Sequence, residues 1–156
     1  MHALELNRRH FLLGCVVIGS LGYGVAGAQV IERVEIWKDP SCGCCKDWVT
    51  HMERNGFKAV VHESGNTTKR AELGLAERFG SCHTAVIGGY VIEGHVPASD
   101  VRRLLKEKST ALGLAVPGMP VGVPGMDGAM YGGRRDPYQV LLVKKDGSSQ
   151  VYRSYS

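Results

Sequence analysis

The sequence predicts a single α/β domain built on a central mixed sheet that is flanked by helices. Two observations predict this class: short β-prone runs alternate with segments of helical apolar spacing, and Gly, Pro or Asn-Gly signals separate the runs. A chain of 156 residues with 44% hydrophobic and 22% charged residues supports one modest core. We therefore expect one domain after any targeting segment.

Residues 1–28 are predicted to be a signal peptide. The pair Arg8-Arg9 precedes an apolar stretch, and Ala26-Gly27-Ala28 has the A-x-A form of a cleavage site, so we expect cleavage after Ala28. The order R-R-H-F-L resembles a twin-arginine export signal, and both export routes stay open. The apolar stretch is short and interrupted by glycine, so no stable membrane span is expected after cleavage. The expected location is the periplasm.

The first half of the domain, which starts at residue 29, is predicted to alternate strands and helices. The first strand ends at the breaker Asp39-Pro40, the helix after it ends at Asn55-Gly56, and Thr67 or Thr68 caps a second helix. The predicted strands cover 30–37 and 57–61, and the predicted helices run from 45 to about 55 and from 67 or 68 to either 73 or 79.

The second half is predicted to contain two hairpins separated by a helix and a long loop. A Gly88-Gly89 turn joins strands at 84–87 and 90–94, and Pro97 opens an amphipathic helix. Residues 113–137 are rich in Gly, Pro and Met and lack periodicity, so they are expected to be a long loop. Asp146-Gly147 then predicts a hairpin of 138–143 with 150–155.

Three thiols occur within four residues directly after the first strand, as Cys42-Gly43-Cys44-Cys45. Cys42 and Cys45 have the spacing of a redox pair or of a soft-metal clamp, and the additional Cys44 favours metal. The positive end of the following helix would favour the thiolate forms. In an oxidising compartment a disulfide is also open, with Cys42–Cys45 as the local choice. The pair Cys82-His83 precedes a later strand and offers another thiol and an imidazole.

The predicted order β-α-β-α-β-β-α, with C-x-x-C after the first strand, resembles the thioredoxin-like fold. In glutaredoxin-type members of that fold a cis-proline precedes the third strand and abuts the C-x-x-C motif. His83 holds that position here. The resemblance therefore implies that Cys82 and His83 face the first cysteine cluster.

Three motifs together resemble the DUF411 family, whose members include periplasmic copper-resistance proteins. They read W-K-D-P-S-C-G-C-C-K-D-W, S-C-H-T-A-V-I-G-G-Y-V-I-E-G-H-V-P and G-L-A-V-P-G-M-P, and the resemblance spans roughly 33–143. It implies an exported, thioredoxin-like domain that binds copper and interconverts Cu(I) and Cu(II). The implied metal ligands are Cys42, Cys44, Cys45, Cys82 and His83.

We therefore predict an exported copper-binding protein of copper resistance, with copper oxidoreductase activity left open. The alternative is a periplasmic thiol-disulfide oxidoreductase that uses Cys42 and Cys45, and zinc is the less favoured metal. Met119, Met126 and Met130 either lend secondary thioether ligands to Cu(I) or pack on the domain. The expected partners are copper ions and a periplasmic copper-handling or electron-transfer protein. Nucleic acid is excluded because Lys and Arg form no basic stripe.

Overall fold

The computed structural model describes residues 32–156, and the predicted signal peptide and its cleavage site lie outside them. Within this range, seven strands form one sheet, with three α-helices and two 3₁₀ turns around it. The strands are β1 Arg33–Lys38, β2 Lys58–His62, β3 His83–Ile87, β4 Tyr90–Glu93, β5 Gly113–Ala115, β6 Tyr138–Val143 and β7 Ser149–Tyr155. The helices are α1 Gly43–Arg54, α2 Thr67–Glu72 and α3 Ala98–Glu107, and the 3₁₀ turns are Glu77–Phe79 and Ala129–Tyr131.

The sheet is mixed, with the strand order β2-β1-β3-β4-β5-β6-β7. β1 pairs parallel with β2, and β4 pairs parallel with β5, whereas the other neighbours are antiparallel. This confirms the predicted α/β class with a central mixed sheet, and the arrangement is compatible with a thioredoxin-like fold. Within residues 32–156, no helix is long and apolar enough to cross a membrane.

The core lies between the sheet and the inner faces of α1 and α3. Trp48 and Met52 of α1 and Leu104 of α3 are fully buried, as is Ile36 of β1. Burying each such side chain contributes about 1.5–3 kcal/mol. Nε1 of Trp48 also donates a hydrogen bond to the carbonyl of Val96 at 2.9 Å, which holds α1 against the segment that follows β4.

The hairpins form where the turn signals predict them. Gly88 and Gly89 both have positive φ, at 55° and 82°, as a two-residue turn between twisted strands requires. Within the described residues the first strand covers Arg33–Lys38, and residues 30 and 31 of the predicted strand lie outside them. α2 ends at Glu72, before Gly74, and the stretch up to Phe79 forms a separate 3₁₀ turn.

The structure differs from the sequence expectation at the start of the 113–137 segment. Gly113–Ala115 is not loop but β5, which pairs with β4 on one side and β6 on the other. Three residues are too few to show strand periodicity, so the strand is specified by its two neighbours rather than by its own pattern. The rest of the segment is irregular apart from the short turn Ala129–Tyr131.

Candidate metal centre

The turn from β1 into α1 carries the first three cysteines. The backbone N–H of Cys42 donates to the carbonyl of Asp39 at 3.1 Å, and Cys42 is the N-cap of α1 without a side-chain capping bond. Cys44 and Cys45 lie in the first helical turn, where free N–H groups and the helix dipole favour negative charge. The local backbone thus places all three sulfur atoms at an electropositive helix end.

Cys42 and Cys45 are joined by a disulfide, with their Cα atoms 5.4 Å apart. This is the local pairing that the sequence left open. Sγ of Cys44 lies 3.6 Å from Sγ of Cys42, so the third thiol contacts the disulfide directly. Cys44 and Cys82 are the free cysteines among the described residues.

Cys82 lies opposite this turn, at the end of the segment that enters β3. Its carbonyl oxygen is 3.5 Å from Sγ of Cys45, and the sulfur atoms of Cys42, Cys44, Cys45 and Cys82 all lie within 4.8 Å of one another. Two separate stretches of sequence therefore supply one compact group of four sulfur atoms. A reduced group of this kind suits a soft metal ion.

A second group shares Cys82 and includes a histidine that the sequence reasoning missed. Ligand atoms of Cys82, His83 and His95 lie within 4.8 Å of one another, and Nε2 of His95 is 3.1 Å from Sγ of Cys82. Nδ1 of His95 lies 2.8 Å from the carbonyl of Pro124, which can only accept, so Nδ1 carries the proton. Nε2 therefore presents its lone pair toward Cys82, as a metal ligand must.

The sequence contains His95 in a visible motif, but only the register of the β3–β4 hairpin shows that it lies near Cys82. β3 and β4 are antiparallel and Thr84 pairs with Glu93, so the residues just after β4 return to those that enter β3. His95 follows Glu93 by two residues and therefore comes back beside Cys82 and His83. Its motif, E-G-H-V-P, was visible, whereas the juxtaposition depends on strand pairing.

His83 is fully buried between two aromatic rings. Its ring centroid lies 4.3 Å from that of Trp48 and 5.0 Å from that of His95. Nδ1 is 3.4 Å from Sγ of Cys82, whereas Nε2 has no hydrogen-bond partner among residues 32–156. Burial, reinforced by His95, holds the pKa of His83 well below its ordinary value. Burial also lowers the pKa of His95, so both rings are neutral and can bind metal.

The Cys82 thiol has the opposite shift. Burial, together with the neighbouring Cys44, raises the pKa of Cys82 to about 12. The metal-free thiol is therefore protonated at neutral pH, and a cation must displace that proton to form a thiolate ligand. Burial makes an isolated Cys82 thiolate unfavourable. A bound metal ion would stabilise that buried negative charge, so the centre suits a soft cation.

The segment after β5 covers the N-terminus of α1. Gly125, with φ of 87°, packs so closely that a Cβ atom there would lie 2.8 Å from the carbonyl oxygen of Cys44 and from the backbone nitrogen of Trp48. Met126 is buried in the core, Met119 is half-exposed, and Met130 is 83% exposed. The loop thus reaches the centre through its backbone at Pro124 and Gly125.

Comparison with known proteins identifies the family. The family model described as "Protein of unknown function, DUF411" matches residues 79–126. A solved structure titled "Copper resistance protein copG- Form 2" is 44% identical, has a TM-score of 0.74, and aligns over 80% of this chain and 98% of that one. The chain belongs to the DUF411 family. The structure titled Form 1 is likewise 44% identical, with a TM-score of 0.72 and coverage of 79% and 96%. No curated protein matches the chain.

The DUF411 match covers a particular part of the site. Residues 79–126 include Cys82, His83 and His95 together with the loop residues Pro124 and Gly125. The first cysteine cluster, Cys42, Cys44 and Cys45, lies before that segment. The predicted family resemblance is therefore confirmed.

Proposed function

We propose that this protein binds copper at the Cys/His centre and acts in copper resistance. The observation that carries the proposal is the position of Cys82, which belongs both to the group of four sulfur atoms and to the group with two histidines. A thiolate at such a junction can be shared between ions. The printed names of two structures at 44% identity, both copper resistance proteins, support copper as the metal.

The donor set favours Cu(I) as the principal bound form. Thiolate sulfur prefers Cu(I), and Irving–Williams ordering makes copper hard to exclude from a site of mixed sulfur and nitrogen ligands. We propose Cys42, Cys44, Cys45, Cys82 and His83 as ligands, with His95 added. Because Cys42 and Cys45 are joined by a disulfide here, their thiolates form only after a dithiol reductant has supplied two electrons, and the reductant is itself oxidised to a disulfide. The two neutral imidazoles also tolerate Cu(II), so interconversion of Cu(I) and Cu(II) would need little rearrangement. Zinc remains the less favoured alternative.

A second candidate function is thiol-disulfide exchange by Cys42 and Cys45. The disulfide between them at the N-terminus of α1, with Cys44 in contact, favours it. This function needs neither His83 nor His95, whereas both lie fully buried beside Cys82. The buried histidine pair therefore makes copper binding the better explanation of the whole centre.

The proposal also covers the location of the protein, its partner and the role of the three methionines. We propose that the mature chain begins after Ala28 and works in the periplasm, where it exchanges copper or electrons with another copper-handling protein. Met119, Met126 and Met130 are proposed as secondary at most, because a thioether is a weaker ligand than a thiolate. The burial of Met126 and the exposure of Met130 agree with packing and surface roles.

Substitutions at Cys82 and His83 separate the two functions. We expect Cys82→Ser and His83→Ala each to lower the copper content of anaerobically loaded protein, because each removes a proposed ligand. His62→Ala is the matched control, since His62 lies on the edge strand β2 with a 40% exposed side chain, outside both ligand groups. Copper content is measured by elemental analysis after desalting. Unchanged copper in both variants, with disulfide exchange that only Cys42→Ser abolishes, would reject copper binding and favour the oxidoreductase.

A further inference from the structure

A fully buried carboxylate lies behind the Cys82-His83 pair. Oε1 of Glu93 accepts hydrogen bonds from the backbone N–H of Ser81 at 2.7 Å and from Nη1 of Arg70 at 3.1 Å, and Oε2 accepts from Oγ1 of Thr84 at 2.5 Å. Glu93 has no solvent exposure. An ionised group is retained in such a position only when several donors satisfy it.

The two anchor points of this carboxylate flank the proposed ligands. Ser81 immediately precedes Cys82, and Thr84 immediately follows His83, so one side chain ties both ends of the segment. Thr84 is the cross-strand partner of Glu93, and the N–H of Gly94 donates to the carbonyl of His83 at 2.9 Å. The segment is therefore fixed from the β4 side by both side-chain and backbone bonds.

Helix α2 closes the network from the other side. Nδ2 of Asn66, the residue before α2, donates to the carbonyl of Ser81 at 3.1 Å and to Oγ1 of Thr84 at 3.2 Å. Arg70 pairs with Glu93 and has only 12% of its side chain exposed. The N–H and the carbonyl of Ser81 are thus both held by this network.

The network also reaches the covering loop. Oγ of Ser81 donates to the carbonyl of Gly118 at 2.6 Å, and the N–H of Gly118 donates to the carbonyl of Gly80 at 3.0 Å. Gly94, with φ of 69°, lets the segment after β4 approach the segment before β3, because a Cβ there would lie 2.5 Å from Oγ of Ser81. Ser81 therefore connects Glu93 to the loop that supplies the Pro124 carbonyl to His95.

We propose that Glu93 is a positioning residue of the metal centre: with Arg70, it orients Cys82 and His83 toward the other ligands. The inference rests on the proposed copper-binding function. Glu93 acts through Ser81 and Thr84 and not as a ligand. Residues that orient metal ligands from behind typically alter affinity 10- to 100-fold when they are removed.

The test compares Glu93→Ala with a matched buried acid. Asp100 of α3 is also fully buried, with its carboxylate 2.6 Å from the hydroxyl of Tyr155 and 3.3 Å from Nη1 of Arg153, and it belongs to neither ligand group. Cu(I) affinity is measured by competition with a chelator, and the nitrogen couplings of bound Cu(II) are measured by EPR. We expect Glu93→Ala to weaken Cu(I) binding roughly 10- to 100-fold and to change the EPR spectrum, whereas Asp100→Ala lowers stability and leaves both unchanged.

Conservative variants keep the test decisive. Glu93→Gln retains an oxygen that can accept from Ser81 N–H, so it should recover most of the affinity and the spectrum. If Glu93→Ala does not fold, Thr84→Val removes only the hydroxyl anchor and should change the same readouts by a smaller factor. Wild-type affinity and spectrum in the Glu93→Ala or Thr84→Val variant, or changes that Asp100→Ala reproduces, would overturn the proposal.

A readout on metal-free protein separates this inference from the function on which it rests. We expect amide hydrogen exchange at Ser81, followed by NMR, to accelerate at least about 10-fold in Glu93→Ala but not in Asp100→Ala, because the N–H loses its acceptor. If wild-type protein binds no copper, the proposed function fails while this measurement still reports on Glu93. Unchanged exchange at Ser81 would overturn the positioning role by itself.

Discussion

Cys82 contacts both histidines of the candidate centre and lies among the three sulfur atoms of the α1 turn. Its burial and the neighbouring Cys44 raise its pKa to about 12, from an ordinary value of 9.0. A thiol in this state is a poor nucleophile until a cation displaces its proton. The residue therefore suits metal binding better than free thiol chemistry.

Alkylation of metal-free protein tests this state of Cys82. Near pH 8 the thiolate fraction would be roughly a thousandth of that of an ordinary thiol, and higher intrinsic nucleophilicity offsets part of the loss. We expect iodoacetamide to modify Cys82 at least about 10-fold more slowly in the folded than in the denatured chain, with a rate that increases as the pH rises toward 12. Peptide mass spectrometry measures the rate. Equal rates in both states would contradict the shifted pKa.

At this scale the sequence motifs contain most of the residues that the fold brings together at the candidate centre. The density of thiols and the Cys82-His83 pair pointed to the residues that the fold brings together. His95 and Glu93 were not predicted as part of the centre, because a single His or Glu at or just after the end of a strand is common. Their positions acquire meaning only through the β3–β4 register, which places Glu93 opposite Thr84.

At the scale of elements, the centre depends on the close approach of the covering loop to α1. Gly125 has a left-handed backbone and leaves no room for a Cβ beside Cys44 and Trp48. The carbonyl of its neighbour Pro124 accepts a hydrogen bond from the Nδ1–H of His95 and so fixes the tautomer of that ring. The loop is thus part of the centre through its backbone.

Gly125→Ala tests this contact. We expect a loss of about 1–3 kcal/mol in the free energy of unfolding, because overpacking and backbone strain both oppose the native loop. Cu(I) affinity should also fall, since displacement of the loop frees His95. Gly128→Ala is the matched control, because Gly128 lies in the same loop with negative φ and a Cβ added there would meet no atom within 4 Å. Denaturant titration and chelator competition measure the two effects, and equal behaviour of the two variants would contradict the role of the contact.

Elements that are long, or that end at a clear turn signal, could be predicted from the sequence, whereas short ones could not. The helix that carries Trp48 and Met52 and the Gly88-Gly89 hairpin were predicted because periodicity and turn chemistry are local properties. β5 was not predicted, because its three residues form a strand only through pairing with β4 and β6. The mixed order of the sheet likewise depends on long-range pairing.

At the scale of the whole molecule, one sheet brings together ligands that are far apart in sequence. β3 pairs with β1, so the residues that enter β3 lie beside those that leave β1 for the cysteine turn. Lys38 at the end of β1 is the cross-strand partner of His83. The predicted proximity of the two clusters is therefore a consequence of strand pairing, and it could be inferred from topology before any contact was known.

Export is the prediction that concerns the complete chain. We expect the mature protein to lack residues 1–28, because the charged pair, the apolar stretch and the A-x-A site occur in the order that signal peptidase recognition requires. N-terminal sequencing of protein from the cell envelope measures the start of the chain. A mature chain that begins at Met1 would contradict the prediction.

In the proposed centre, copper is held jointly by thiolates and by the buried histidine pair. X-ray absorption at the copper edge of anaerobically Cu(I)-loaded protein tests this joint coordination, because sulfur and nitrogen scatterers are distinguishable. We expect both kinds of scatterer in the wild-type protein and in the control His62→Ala, and a reduced nitrogen contribution in His83→Ala and in His95→Ala. A wild-type spectrum with sulfur scatterers alone, or a nitrogen contribution that persists unchanged in a variant carrying both His83→Ala and His95→Ala, would contradict joint coordination.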